Sequence, residues 1–304
     1  MRVLVTGGCG FIGSNVVELL LKKNTEVFVL DNSFSTNFNN LEGLDCEVIS
    51  GDILDENLFK KLPHLDAVIN QAAITDTTFK DNKKMMMVNF VGFKNVLHHC
   101  LKKRVKLVYA SSAGVYGNGS LPMREQQRCY PLNTYAYSKF LCDKEAFKLL
   151  NKKNIPLIVG LRYFNVYGHR EYHKKKSASM IYQLYLQMEK DMPPRIFKFG
   201  KQKRDFIYVK DVALATVKVL DLKKSSILNV GTGEAHSFNK VIAVINKVLK
   251  KNLSPQYFSN PYTKVYQNYT QADTTILKKE LKFSANYSLE EGIKDYITNY
   301  LRRS

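Results

Sequence analysis

Tyr135 and Lys139 stand four residues apart in Tyr135-Ala136-Tyr137-Ser138-Lys139, a spacing that puts both side chains on one face of a helix. Ser111-Ser112 closes an apolar run, Lys106-Leu107-Val108-Tyr109-Ala110, that reads as a strand. In open α/β sheets ligands collect at the carboxyl ends of strands. Together these residues offer a phenol, a lysine whose charge lowers the phenol's pKa, and a hydroxyl to hold a substrate oxygen. A phenol near its ordinary pKa of about 10 is a poor base at neutral pH, so a cationic neighbour is what makes the set useful. Taken alone, the spacing also suits an idle surface pair of Tyr and Lys.

The amino terminus narrows the choice. Arg2-Val3-Leu4-Val5-Thr6 reads as a strand, followed by Gly7-Gly8-Cys9-Gly10-Phe11-Ile12-Gly13 and an apolar-periodic helix from Ser14 to Leu21. Gly7, Gly10 and Gly13 divide three tasks: the tight turn, the approach of backbone N–H groups to a pyrophosphate, and close helix–strand packing. The phosphates then sit at the helix N-terminus. Asp31, with Asn32 after it, ends the next strand (Glu26–Leu30) at the distance expected for the residue that accepts bonds from the adenosine ribose diol. A dinucleotide site beside Tyr135 and Lys139 favours the catalytic reading of that pair.

The elements that must position these residues alternate through the first half. Strands read at Glu47–Ile49, Asp66–Asn70, Lys106–Ala110 and Leu157–Tyr163, and helices near Asp55–Leu62, Asn82–Leu101 and Thr134–Asn151. The pattern predicts an α/β fold: a Rossmann-type doubly wound parallel sheet, covered on both faces. Beyond residue 165, Pro193-Pro194, Asn252–Pro255 and Asn260-Pro261 punctuate shorter elements. They predict a smaller, discontinuous α/β substrate lobe of about 166–205 and 231–304. The apolar stretch Ile207–Leu220 and the strand Ile227–Val230 are expected to return to the main sheet, so the dinucleotide-binding domain takes about 1–165 and 206–230.

The chain has 304 residues, 45% of them hydrophobic, enough for a large core. No apolar run is long enough to cross a bilayer, and the first strand begins at residue 2, so neither a membrane span nor a cleaved leader is expected. The five cysteines (Cys9, Cys46, Cys100, Cys129, Cys142) are scattered and never in a Cys-x-x-Cys pair, which points to core residues of a cytoplasmic protein and to no metal site. The net charge of +19 raises the question of nucleic acid. Its distribution answers it: Lys22-Lys23, Lys102-Lys103, Lys152-Lys153 and Lys250-Lys251 fall at predicted helix ends, where they complement the dipole, and form no stripe with interleaved aromatics. The charge instead helps recruit an anionic substrate.

The sequence resembles the nucleotide-sugar branch of the extended short-chain dehydrogenase/reductase family nearly end to end. The resemblance is carried by the Gly7–Gly13 turn, Asp52-Ile53, Asn89 with Gly92 and Asn95, Ser111–Gly117, Tyr135 with Lys139, Arg162–Gly168 and Arg204–Val212. It implies that Ser112, Tyr135 and Lys139 form the catalytic set, that Asp52 and Ile53 flank the adenine, that Asn165 contacts the sugar nucleotide and that Arg204 binds its diphosphate. It also implies cofactor contacts from Gln71, Ala72, Ala73, Thr75, Asn89 and Val166, and substrate contacts from Gln183 and Tyr266.

Within the branch the chain is most similar to ADP-glyceromanno-heptose 6-epimerases, through Gln71-Ala72-Ala73 with Asp76-Thr77-Thr78, Met85-Met86-Met87, Arg170–Lys174 and Tyr266–Asp273. That similarity implies a second acid/base at Lys174, transient oxidation of carbon 6 with a tightly held NAD or NADP, a homo-oligomer packed through helices such as Asn82–Leu101, and a role in lipopolysaccharide core heptose. Where the family has Gly-Ser-Met after the lysine, this chain has Lys175-Lys176-Ser177, and Gln183 replaces a family histidine. A solvated basic loop is the rival reading of Lys174–Lys176. The family's NADP-accepting lysine falls on Asn37, and Asn32–Phe59 holds no Lys or Arg, so NAD is favoured. The rival functions are a UDP-glucose-type 4-epimerase, which needs no Lys174, and a 4,6-dehydratase, disfavoured by Ala113-Gly114 where that branch has Asp-Glu. A dinucleotide-binding protein without turnover is a more distant alternative.

Overall fold

The alternation of β-branched runs and helical patterns resolves into a seven-stranded parallel sheet. The computed structural model describes residues 1–34, 36, 38–261 and 266–302; Asn37 lies outside them. The chain runs through β1 (Arg2–Thr6), α1 (Phe11–Leu21), β2 (Glu26–Asp31), β3 (Glu47–Ser50) and β4 (Ala67–Asn70). There follow α2 (Asn82–Met86), a wide turn, α3 (Gly92–Lys103), β5 (Lys106–Ser112), α4 (Thr134–Phe147) and β6 (Ile158–Tyr163). Next come β7 (Asn165–Tyr167), α5 (Met180–Glu189), β8 (Arg195–Phe197), β9 (Lys203–Arg204), β10 (Phe206–Tyr208) and α6 (Val209–Lys218). The chain continues with β11 (Ser226–Val230), β12 (His236–Ser237), α7 (Phe238–Leu249), β13 (Gln256–Phe258), α8 (Thr275–Leu281) and α9 (Leu289–Tyr296).

The sheet order is β3-β2-β1-β4-β5-β6-β11, with every neighbouring pair parallel. The chain winds outward in both directions from β1 and β4, so a crevice opens at their carboxyl ends. Both faces are covered, which is why Val3, Leu4 and Val5 are all buried. On one face α1 and α6 pack through Val16, Val17 and Leu20 with Val212 and Ala215. On the other, α3 and α4 bury Phe93, Val96, Leu97, Cys142 and Ala146. A separate cluster joins β7, β10, α5, α7 and α9 through Tyr167, Ile181, Phe206, Val241 and Ile293. No helix among the described residues is long and apolar enough to cross a membrane.

Two expectations need correction. No α-helix forms near Asp55–Leu62; a single tight turn, Leu58–Lys60, takes its place, with Phe59 buried and Leu58 partly buried against the core. Ile207–Leu220 is not one returning element: β10 pairs with β7, outside the main sheet, and α6 alone packs on α1. The helix expected over Asn82–Leu101 does form, running without a break from Asn82 to Lys103 and widening only over Met87–Val91, where Asn89 is turned inward and buried.

Candidate active site

The Gly7–Gly13 turn leaves β1 at the crevice. Gly7 has φ +68°, and a Cβ there would come within 2.6 Å of the Ala72 nitrogen. A Cβ on Gly13 would meet the Gly7 carbonyl at 2.2 Å, so helix and turn can approach this closely only with glycine. Gly10 N-caps α1 without a side chain, leaving its backbone donors without a capping oxygen. They face a cavity of about 830 Å³ lined by Gly7, Gly10, Phe11, Ile12 and Gly13. These features fit a dinucleotide diphosphate.

At the β2 end, Asp31 is buried; Oδ2 accepts from the Cys9 amide at 3.0 Å and Oδ1 from the Ser33 amide at 2.9 Å. Each oxygen keeps a further lone pair for a ribose hydroxyl. Asn32 Nδ2 donates to Asp52 Oδ2 at 2.8 Å, joining two of the expected cofactor residues. Ile53 lies against Gly92, where a Cβ would come within 2.5 Å of its Cδ1, and Asn95 Nδ2 donates to the Ile53 carbonyl at 3.2 Å. Gly92 and Asn95 therefore hold Ile53 in the wall. Gln71, Ala72, Ala73, Thr75 and Val166 complete that wall.

Tyr135 sits in the first turn of α4, which Asn133 caps by accepting from the Ala136 amide at 2.9 Å. Ser112, at the end of β5, Tyr135 and Lys139 line the same cavity, and Ser112 Oγ accepts from the Gly114 amide at 3.1 Å. Beside them the buried Ser111 hydroxyl has no partner among the described residues. Burial pushes the Tyr135 phenol above its ordinary value, with the Ser112 hydroxyl pulling the other way. Lys139 donates from Nζ to the Ala110 carbonyl at 2.8 Å, and burial holds its ammonium below the usual lysine range. In the protein alone the Tyr135 phenol therefore stands above its ordinary value, with burial the largest cause.

The run Lys174-Lys175-Lys176 divides. Lys174 lines the cavity, its Nζ 5.8 Å from the Phe11 ring centroid, whereas Lys175 and Lys176 are exposed. Burial lowers the Lys174 pKa, and Glu171 and Asp76 act against that shift. Next to it, burial and Lys174 bring His173 down to about 4, so its ring is neutral at neutral pH. Arg204 is buried at the wall, 4.8 Å from the Tyr266 ring and 5.9 Å from Phe238, with no carboxylate partner among the described residues. Its Nη1 donates to the Lys203 carbonyl at 2.8 Å. A desolvated guanidinium so placed calls for an anion. Asn165 lines the cavity too, its Oδ1 accepting from Thr270 Oγ1 at 2.9 Å.

Two expected site residues stand outside the cavity. Asn89 is buried behind it, accepting from the Ile74 amide at 2.8 Å and donating to the Ile74 carbonyl and Ser138 Oγ. Gln183 points back into its own loop, donating to the carbonyls of Lys176 and Ala178 at 3.1 and 2.7 Å. Both fix neighbouring backbone. Sequence reading missed Phe34, Thr36, Lys84, Phe238 and Gln267, all in the wall. Gln267 lies within the Tyr266–Asp273 stretch; the other four belong to no local pattern, and topology alone assembles them.

The model of the NAD dependent epimerase/dehydratase family matches residues 3–231. The crystal structure of the Helicobacter pylori ADP-L-glycero-D-manno-heptose-6-epimerase is similar with 38% identity, over 97% of this chain and 95% of that one, at a TM-score of 0.90. The UDP-glucose 4-epimerase of Thermotoga maritima, solved with UDP-glucose, is 27% identical over 100% and 99% of the two chains, at a TM-score of 0.92. The UDP-glucuronic acid 4-epimerase of Bacillus cereus, solved with UDP-glucuronic acid and NAD, is 28% identical over the same shares, at 0.88. With the family model matched over residues 3–231 and these likenesses along nearly the whole chain, the protein belongs to the NAD dependent epimerase/dehydratase family, in the nucleotide-sugar epimerase branch of the extended short-chain dehydrogenase/reductases.

Proposed function

We propose that this epimerase acts at carbon 6 of an ADP-glycero-manno-heptose, the precursor class of lipopolysaccharide core heptose. The observation that carries this reading is that Lys174 enters the same cavity as Tyr135, from a different element, while its two lysine neighbours face solvent. Identity of 38% with the heptose epimerase, against 27–28% with the two UDP-sugar 4-epimerases, supports the same substrate class.

The Gly7–Gly13 cradle, Asp31, Asp52 and Ile53 would hold a nicotinamide dinucleotide, which would supply a reversible hydride acceptor, so that the epimerisation carries no net redox change. Tyr135 takes the proton of the reacting hydroxyl, Ser112 holds that oxygen and Lys139 keeps positive charge near the phenol. Lys174 handles the proton when the carbonyl is reduced from its other face. Arg204 neutralises the substrate diphosphate, with Asn165 and Tyr266 beside the sugar nucleotide. The chain works as a homo-oligomer; Met87, in the wide turn after α2, and Tyr137, in α4, exposed by 41% and 47%, suit such a contact.

The matching sheet of the Thermotoga 4-epimerase keeps one rival alive, an enzyme that turns over UDP-hexoses and has no use for Lys174. Incubation of the purified enzyme with ADP-heptose and, separately, UDP-glucose decides between them. We expect inversion at carbon 6 of the heptose, seen by proton NMR. Conversion of UDP-glucose with no action on the heptose overturns the assignment.

A further inference from the structure

The basic pairs that the sequence scatters are gathered by the fold. In a parallel sheet every strand begins at the same edge, so the loops that enter β4, β5, β6 and β11 meet at the edge opposite the crevice. These four neighbouring strands start level: Ala67 pairs with Lys106, Leu107 with Ile158 and Val159 with Ser226. The loops are also bonded to one another. The Lys106 amide donates to the Asp66 carbonyl at 3.2 Å, Arg104 Nη2 to the Asn154 carbonyl at 3.3 Å and Lys106 Nζ to the Leu220 carbonyl at 3.0 Å.

Residues 60–66, 101–106, 148–157 and 218–225 hold two, four, three and three Lys or Arg, against only two acids, Asp66 and Asp221. Ten of these twelve bases are exposed, and among the described residues only Lys148 meets a carboxylate, that of Glu145 at 2.7 Å. Helix dipoles account for each pair but not for their sum on one edge. Like charges so crowded repel, and a dense anionic surface laid against them relieves that repulsion. The four loops hold no Phe, Tyr or Trp on which a nucleic-acid base could stack. At their margin, in the last turn of α4, Phe147 is 48% exposed, with Lys144 one turn before it and Lys148 after it. An apolar ring flanked by lysines suits the boundary between lipid headgroups and acyl chains.

We propose that this edge docks the protein on an anionic lipid bilayer, with the catalytic crevice facing away from the membrane. The docking does not depend on which sugar is turned over. Its test is co-sedimentation of the purified protein with vesicles of phosphatidylcholine alone and of phosphatidylcholine mixed with phosphatidylglycerol. The protein is expected to sediment with the mixed vesicles at low salt, to be released by high salt, and to ignore phosphatidylcholine. Each base near an anionic surface is worth about fivefold in binding. Reversing Lys102, Lys103, Lys152 and Lys153 together to Glu therefore weakens binding by at least about a hundredfold. Lys223→Glu with Lys224→Glu, in a third loop, weakens it by at least about tenfold. Phe147→Ala weakens it by about tenfold, the worth of a ring partly buried in lipid. The control carries the same change of net charge elsewhere: Lys190, Lys247, Lys250 and Lys294, all exposed in or just after α5, α7 and α9, are reversed to Glu. It is expected to bind within about threefold of wild type, since charges beyond a Debye length of the surface are screened. Unchanged melting temperatures show that the variants are folded. Equal losses in the edge and control variants would mean that net charge alone acts, and overturn the proposal. So would equal binding to both kinds of vesicle, or tighter binding to single-stranded RNA than to the mixed vesicles.

Discussion

Tyr135 and Lys174 carry opposite problems in the same cavity. Desolvation favours the neutral form of each, raising the phenol and lowering the ammonium. For a group that must take a proton the rise is unhelpful, and it is the bound cofactor's positive ring that can reverse it. For a group that must both give and take a proton, a lowered lysine pKa moves it toward the working range. Substituting each separates the two roles. Tyr135→Phe is expected to abolish turnover, by about a hundredfold to ten-thousandfold, while cofactor stays bound, because the glycine cradle is untouched. Lys174→Met is expected to lower 6-epimerisation by a similar factor yet still exchange hydride with an aldehyde analogue, giving one stereochemistry only. Steady-state rates and deuterium incorporation read both. Near-normal epimerisation in Lys174→Met would reduce that lysine to a wall residue and return the 4-epimerase reading.

At the scale of elements, the turn Tyr172–Ser177 shows what the departure from the family's glycine after Lys174 means physically. Lys175 has φ +49° and ψ −117°, a conformation that favours glycine. The turn is held there by Glu171, which is fully buried and accepts from the amides of Gly168 and Ser179 and from Ser179 Oγ. Its anchoring over-determines the backbone, so Lys175 is strained while Lys174 is aimed inward. Such strain costs about 1–3 kcal/mol, and a glycine loses about 1 kcal/mol of chain entropy in return. Lys175→Gly is therefore expected to stabilise the protein by about 1 kcal/mol, raising the melting temperature without reducing activity; a lower melting temperature sinks this account.

The same turn marks the limit of what could be read from the chain alone. The glycine turn, Asp31 and the Tyr135–Lys139 spacing are local patterns, and each lands in the cavity wall. Arg204 and Lys174 were reached only through resemblance, because nothing in their neighbours says that one is buried unpaired and the other turned in. Lys84 and Phe34 lie 50 residues apart and meet only through the fold, the ammonium 4.0 Å from the ring centroid. Asn89 and Gln183 were misplaced for the complementary reason: a polar residue in a motif can serve backbone carbonyls as readily as a ligand. The short β7–β10 pair escaped notice because three-residue strands carry too little periodicity.

Across the whole molecule, one buried network ties the catalytic helix to the rest of the fold. Arg162, in β6, is 1% exposed and donates from Nε to Asp143 Oδ2 at 2.8 Å. Its Nη1 reaches the Tyr116 hydroxyl and the Glu125 carbonyl, both at 2.9 Å. Tyr116 passes its proton toward Asn229 in β11 at 2.6 Å, and Asn229 Nδ2 holds the carbonyls of Met123 and Asp273. From the other side the Tyr109 hydroxyl donates to Asp143 Oδ1 at 3.0 Å. Asp143 is four residues after Lys139, so the pair also fixes the face of α4 that presents Tyr135. Taking both charges out of water is costly, and their attraction compensates only while both are present. Arg162→Met leaves Asp143 buried without its cation and is expected to cost about 3–5 kcal/mol in urea unfolding. Adding Asp143→Leu to that variant removes the orphaned charge and is expected to recover part of the loss, since an apolar pair of similar volume is often neutral. Equal stability of the single and double variants would mean that the carboxylate finds another partner, and that the network is less tightly coupled than its geometry implies.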